Sequence, residues 1–554
     1  MLRSHSGRAL LAPVALCLLA ACDVGIGDSS LPLPVPGGDD GQGGASSAGG
    51  ASSTGGASST GGGGSTTNTG GGTSVGGGGQ GACDGGGPVI ETTGSNTKYL
   101  LKGTLLLPSG SMAGEVLVVG TTIACVGATC SGDPQATGAT VVQTNGVISP
   151  GLIDGHNHIL FDIFDEDDWS PTQTYTNHNQ WPNDAKYGAM VDAKQYLNGE
   201  SGSPVGYSCE LDKYGELKEL IAGTTSVQAS PGGADRACYG SLARTLGGAH
   251  ADLPIDKMQT ATLFPTQSSG DGVCANFASG KTNAYVVHIA EGVDTSARNE
   301  FDNLGTVTTV DNCLYDPKTT IIHGVALDTS RIDIFASHDM KLVWSPKSNI
   351  FLYGAGTDFT KTANIPYYLQ KGTNVSIGPD WSIGGSQNML DELRFADEVD
   401  NAEWGDMLTS KQIWEMATVN SAVNMGVDQY IGTLAVGKRA DIAVFLPQTG
   451  SDPYDAVMQA TPTQVTMVFV DGRLLYGDVD LQGSGPPNSV CETVDMCCRS
   501  KFLCIGETTG SPTDRMDQTY ADFRDILESG MEAYDALDLT QWNFAPITPI
   551  VKCQ

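Results

Sequence analysis

Positive charge is scarce in this sequence: 29 Lys and Arg stand against 62 Asp and Glu, a formal net charge of −33. A surface this acidic repels phosphate, which argues against nucleic acid and anionic lipid as partners held through the protein surface. Solubility accounts for the charge without invoking a cationic substrate. Long apolar runs are missing too. The stretch from Ala9 to Leu19 is apolar but too short to span a bilayer, and no other run is long enough. The rest of the chain is therefore expected to be soluble. Aromatic residues (7%) and charged residues (16%) are few, partly because 73 Gly dilute them, yet 40% of the chain is apolar and a large core is affordable. Histidine numbers only eight, so each position it occupies carries information.

Pro150-Gly151-Leu152-Ile153-Asp154-Gly155-His156-Asn157-His158 is an apolar run bounded by Pro-Gly, which reads as a buried strand ending in His-x-His. Side chains two apart share one face of a strand, so His156 and His158 project together. Two imidazoles side by side suit a divalent transition metal, commonly zinc. Asn283 to Gly292 is a second apolar strand ending in His288, and Thr319 to Gly324 a third ending in His323. Asn374 to Trp381 is a fourth, ending in Asp380. Between Gly151 and about Gly426 strands alternate with helical patterns, which predicts βα units and a parallel sheet.

These motifs resemble the amidohydrolase superfamily of metal-dependent hydrolases, whose members carry His-x-His after the first barrel strand, His after the fifth and sixth, and Asp after the eighth. Val147 to His158 is similar to the family's entry into the barrel, and Gly432 to Val444 to its exit into a small β domain. The resemblance implies an α/β fold, a (β/α)8 TIM-like barrel with a composite β-sandwich built from the flanking segments. It divides the chain into a barrel at 150–428 and β-sandwich parts at 97–149 and 429–480. A Cys-containing extension follows at 481–554, with a helix expected from Thr519 to Leu537. The segment from Phe161 to Ser208 is a long insertion after strand one, at the barrel end where active sites lie, and suits a lid or a specificity wall. Strands three and four fall in 242–282, with Met258 to Thr262 a candidate.

The resemblance further implies one divalent metal per chain on His156, His158, His288 and Asp380, with zinc expected and iron or manganese as alternatives. Glu291 stands three residues beyond His288, the His-x-x-Glu spacing that cytosine and adenosine deaminases and related chlorohydrolases use for a proton-shuttling Glu. His323 would orient the attacking water or the substrate carbonyl, and Asp380 could accept a proton as well as bind metal. The implied activity is hydrolysis of a non-peptide C–N bond in a small cyclic amide, amidine or aminated ring. Alternatives are a dinuclear enzyme cleaving a linear amide or dipeptide, for which Lys257 is the one nearby bridging candidate, and a non-catalytic surface binding lipoprotein. Where relatives have His-Cys-Pro-x-Ser-Asn after strand seven, this chain has Trp344-Ser345-Pro346-Lys347-Ser348-Asn349, so altered substrate contact is expected at Trp344.

Arg3, Arg8 and the apolar stretch from Ala9 form a targeting segment over residues 1–21. Leu19-Ala20-Ala21-Cys22 resembles the lipobox of bacterial lipoproteins, which implies cleavage before Cys22, its lipidation, and export to the cell envelope with the lipid as the sole membrane contact. Residues 22–96, rich in Gly, Ser and Thr, would form a disordered tether spanning about 45–50 Å. Twelve of the 14 Cys remain after Cys17 and Cys22 are set aside, an even number that permits disulfides in an exported chain. Cys125 and Cys130 lie close enough for a local loop, and Cys491, Cys497, Cys498 and Cys504 cluster near the C-terminus. Cys22→Ser is expected to leave the protein unlipidated and uncut at this site; labelled fatty acid still incorporated into that variant would count against Cys22 as the anchor.

Overall fold

The computed structural model describes residues 86–553 except 201, 230–237, 239, 247–252, 254–257, 262–263, 448–451, 508–516 and 538. The leader, Cys22 and the tether through residue 85 lie outside the described residues, as does Lys257.

The chain enters through β1 (Val89–Thr92), β2 (Ser95–Leu107), β3 (Gly110–Val119), β4 (Thr122–Gly127) and β5 (Ala139–Pro150). The barrel strands follow: β6 (Leu152–Asn157), β7 (Thr224–Ala229), β8 (Arg244–Thr245), β9 (Met258–Ala261), β10 (Ala284–Ile289), β11 (Thr319–His323), β12 (Lys341–Trp344) and β13 (Val375–Ile377). The chain leaves through β14 (Ile442–Phe445), β15 (Val465–Val470), β16 (Arg473–Asp478), β17 (Ser489–Met496) and β18 (Arg499–Glu507).

The eight barrel strands form two parallel runs, β6-β7-β8 and β9 through β13. One seam between them is closed by parallel pairing of Asn157 with Asp380, where the Asp380 amide donates to the His156 carbonyl at 2.9 Å. The strands are buried on both faces, as parallel sheets under helices are. Ala284, Val286, Ile322 and Val343 fill the barrel interior with Ile153, whereas the alternating Tyr285, Val287, Ile321, Leu342 and Trp344 pack in the larger core under the helices. The fold is thus an α/β barrel carrying a separate β-sheet domain.

That second domain is one ten-stranded sheet in the order β17-β18-β16-β15-β14-β5-β2-β3-β4, with β1 on β5. It folds over on itself: Tyr99 of β2 and Phe469 of β15, separated by two strands in the sheet, stack edge-on at 4.9 Å within one shared core. The sheet does not stop at residue 480. The hairpin β17–β18 pairs with β16, Tyr476 opposite Leu503, and so covers an edge that would otherwise be unpaired. Beyond it, helix Tyr520–Asp535 packs on the barrel periphery, Tyr534 against Tyr196 at 5.3 Å.

Disulfides join Cys125–Cys130, Cys209–Cys238, Cys274–Cys313, Cys491–Cys504 and Cys497–Cys553 among the described residues. The last ties the C-terminus to the β17–β18 turn. From there the Thr548 hydroxyl donates to Asp165 Oδ2 at 2.6 Å and Lys552 Nζ meets the same carboxylate at 2.8 Å. The C-terminal segment therefore braces the insertion after β6.

Barrel and sheet domain are joined by Arg244 of β8, fully buried, which reaches Asp441 at 2.5 Å and Asp471 at 2.8 Å. Arg244→Met would leave the buried Asp441 carboxylate without its cation. It is expected to destabilise the protein by about 3–5 kcal/mol, measured by denaturant unfolding of the barrel and sheet together; a loss below about 1 kcal/mol would contradict this role for the pair.

Candidate metal centre

Five chemistry-bearing side chains converge at the C-terminal ends of the barrel strands. His156 Nε2 lies 3.0 Å from Asp380 Oδ1 and 3.1 Å from His288 Nε2, and His158 Nε2 lies 3.4 Å from the same Asp380 oxygen. Donor atoms of His156, His288, His323 and Asp380 all fall within 4.8 Å of one another. His156, His288, His323 and Asp380 are buried; His158, 22% exposed, marks the side on which the site meets solvent.

Local backbone geometry makes this convergence. On β6 strict alternation would put Ile153, Gly155 and Asn157 on the inner face. Four residues, Asp154 to Asn157, instead lie opposite three on β7, Val227 to Ala229, and this bulge re-aims the histidines. On β11 the interior positions are Thr320 and Ile322, so alternation would turn His323 outward; its φ of +71° swings it into the site. Asp380 has φ +74° and Ala290 φ +60°. Left-handed conformations at non-glycine residues are costly, and such strain gathers at functional sites. Gly378 is required where β13 crosses β6, since a Cβ there would fall 2.4 Å from the His156 amide nitrogen.

Burial pushes the imidazoles down: His158 to about 4, His323 to about 3 and His288 well below its ordinary range, the last reinforced by its histidine neighbours. Against the cost of its own burial, the hydrogen bond with His156 and the surrounding imidazoles hold the Asp380 carboxyl far below the usual carboxylate range. Imidazoles and an ionised carboxylate whose donor atoms gather within 4.8 Å of one another are a donor set that fits a divalent cation.

A second ring of groups orients the first. Gln228 Oε1 lies 3.3 Å from His156 Nδ1, and the Ala261 carbonyl 3.5 Å from His288 Nδ1. The Ser348 hydroxyl donates to Asp380 Oδ2, and Asn349 Nδ2 donates to His323 Nδ1 at 2.9 Å. That bond leaves the His323 proton on Nε2, the nitrogen facing Glu291 Oε2 at 3.8 Å.

Glu291 is buried, and desolvation pushes its carboxyl up to about 7 despite the opposing pull of His178. The Tyr353 hydroxyl donates to Glu291 Oε1 at 2.8 Å. Sequence reasoning gave no role to Tyr353, Gln228 or His178; the last was visible as one of the few unassigned histidines, inside the insertion. Trp344 does not line the site. It faces the outer core and donates its indole N–H to Thr362 at 2.7 Å, because residues of its parity on β12 point toward the helices. Ser348 and Asn349 of the same stretch do reach Asp380 and His323. The insertion supplies a wall of aromatic rings: Trp181 and Tyr187 pack at 5.3 and 6.0 Å from Trp381, which itself stands 6.2 Å from His158.

A parallel α/β barrel with such a donor set at its strand ends defines a metal-dependent hydrolase. Residues 260–475 match the model of the amidohydrolase family. A 5′-deoxyadenosine deaminase from Methanothermobacter thermautotrophicus is 25% identical over 432 residues, covering 70% of this chain and 95% of that protein. An S-triazine hydrolase from Gordonia rubripertincta is 30% identical over 227 residues, 39% of this chain and 46% of that protein. An atrazine chlorohydrolase from Arthrobacter aurescens, solved with zinc and atraton, superposes with a TM-score of 0.51 at 17% identity, over 68% of this chain and 95% of that one. Over residues 260–475 the chain is similar to the amidohydrolase family, and it is an enzyme of the metal-dependent, C–N-hydrolysing kind.

His156→Ala and His158→Ala are each expected to abolish metal retention while the chain still folds, read by elemental analysis of purified protein; unchanged metal content in both would overturn the ligand assignment.

Proposed function

We propose that the protein hydrolyses a non-peptide C–N bond of a cyclic amide, amidine or aminated ring with a single divalent metal, zinc by preference, held by His156, His158, His288 and Asp380. The observation that carries this reading is Glu291: a buried carboxyl three residues past a ligand, beside the site, with its pKa raised to about 7. A cation bound there supplies Lewis acidity and acidifies water. Near neutral pH Glu291 is divided between its two protonation states, so it can take a proton from attacking water and return it to a departing nitrogen. His323, protonated on Nε2, is a donor aimed at the electronegative atom on which charge develops. Asp380, held ionised, can serve as a further proton acceptor. The tryptophan wall excludes water and presents flat apolar surface, which suits a ring. The deoxyadenosine deaminase and triazine hydrolase among the relatives support a nitrogen-containing ring as the substrate class.

Export and lipid attachment at Cys22 belong to the same proposal. The lipobox-like sequence supports them, as do five disulfides among the described residues, since such bonds persist in oxidising compartments. The tether would then hold the enzyme off the membrane.

Screening zinc-loaded protein for ammonia release from adenosine, 5′-deoxyadenosine, guanine and aminotriazines tests the reaction; two metals per chain, or cleavage of linear N-acyl amino acids alone, would overturn it. Glu291→Gln is expected to keep the metal and lower kcat by about 10²–10⁴-fold. Wild-type turnover in that variant would remove Glu291 from the mechanism.

A further inference from the structure

The insertion after β6 does more than wall the site. Thr176 to His178 runs antiparallel to Glu291–Val293, pairing Asn177 with Gly292. The Val293 amide donates to the Thr176 carbonyl at 2.7 Å and the His178 amide to the Glu291 carbonyl at 3.2 Å. The approach is close enough to demand glycine: a Cβ on Gly292, φ +142°, would fall 2.5 Å from the Thr176 carbonyl oxygen. Asn177 Nδ2 donates to Asp294 Oδ2 at 2.6 Å and locks the register.

This stitch delivers His178 between two carboxylates. Its Nε2 lies 2.6 Å from Glu300 Oε1 and its Nδ1 3.8 Å from Glu291 Oε2. Glu300, on helix Thr295–Leu304, also accepts the amide of Ala290 at 2.9 Å through its other oxygen. One carboxylate thus grips both the imidazole and the left-handed residue immediately before Glu291. All three side chains are largely buried, where an unbalanced charge is expensive. We infer that His178 is a positioning residue, an imidazolium held by Glu300 whose charge and backbone pairing fix the Glu291 carboxylate facing His323. Burial works against a charged His178, but the Glu300 hydrogen bond and the charges of Glu291, Glu300 and Asp294 outweigh it and lift the ring to about 9. The role is not carried by a ligand to the metal, nor by a group placed to touch substrate. The inference rests on the reading of Glu291 as proton carrier.

The test is a double-mutant cycle in the full zinc-loaded chain, using His178→Gln, Glu300→Gln and Glu291→Gln singly and in pairs. Glu300→Gln keeps an acceptor for the Ala290 amide while deleting the charge, so it serves if His178→Gln loosens the loop. Metal content, melting temperature and, on whichever ring amine releases ammonia, kcat and KM are read for each. His178→Gln and Glu300→Gln are expected to lower kcat by about 10–100-fold at unchanged metal content and nearly unchanged KM, and to have no further effect on kcat in the Glu291→Gln background. Full, additive losses in that background would overturn the inference, because a merely structural residue acts regardless of Glu291. The melting temperatures report the same coupling when no substrate is found: His178→Gln should destabilise wild type more than the Glu291→Gln variant, and equal shifts in both would also overturn it. Failure of every ring amine with this coupling intact would instead count against the proposed reaction.

Discussion

The approach of β6 to β13 is the contact on which the rest depends. At that seam Asn157 pairs with Asp380, and the carboxylate of Asp380 meets His156 and His158 within 3.0 and 3.4 Å. The same few atoms close the barrel and assemble the donor set. The buried donor set is held in place by the packing around it. Ile153, Val286, Ile322 and Val343 fill the interior immediately below. Ser348, Asn349 and Gln228 fix the ring and carboxylate orientations from outside.

The segments added to the barrel have a common direction of effect. The insertion after β6 brings tryptophans against Trp381 and stitches itself to the residues following Glu291. The C-terminal segment, fastened by Cys497–Cys553, holds the start of that insertion through Asp165. A disulfide near the edge of the sheet domain is thereby connected, through a few hydrogen bonds and an ion pair, to the loop that covers the catalytic end.

Much of the site was legible because its signals are local. A strand ending in histidine is visible in ten residues, and the spacing of Glu291 from His288 is carried by one turn of chain. The placement of Met258–Ala261 beside β10 could be suggested but not secured, since a four-residue strand has too little periodicity to stand apart from its neighbours. Trp344 shows the opposite failure: its position in a motif was plain, but its parity on β12 turns it to the outer core.

By itself, then, the sequence determined the alternation of strands and helices, the strand ends that carry His156, His158, His288, His323 and Asp380, the carboxyl three residues after His288 and the acidic, disulfide-capable character of the chain. These follow from composition and from patterns within one element. Only the tertiary structure decided that a bulge in β6 and a left-handed His323 aim the imidazoles inward, that β17–β18 completes the sheet, which cysteines pair, and that His178 comes to rest between Glu291 and Glu300. Each of these depends on backbone torsions or on contacts between segments far apart in the chain. The free energy that selects them resides in packing and desolvation shared among many residues, and no short stretch of sequence contains it.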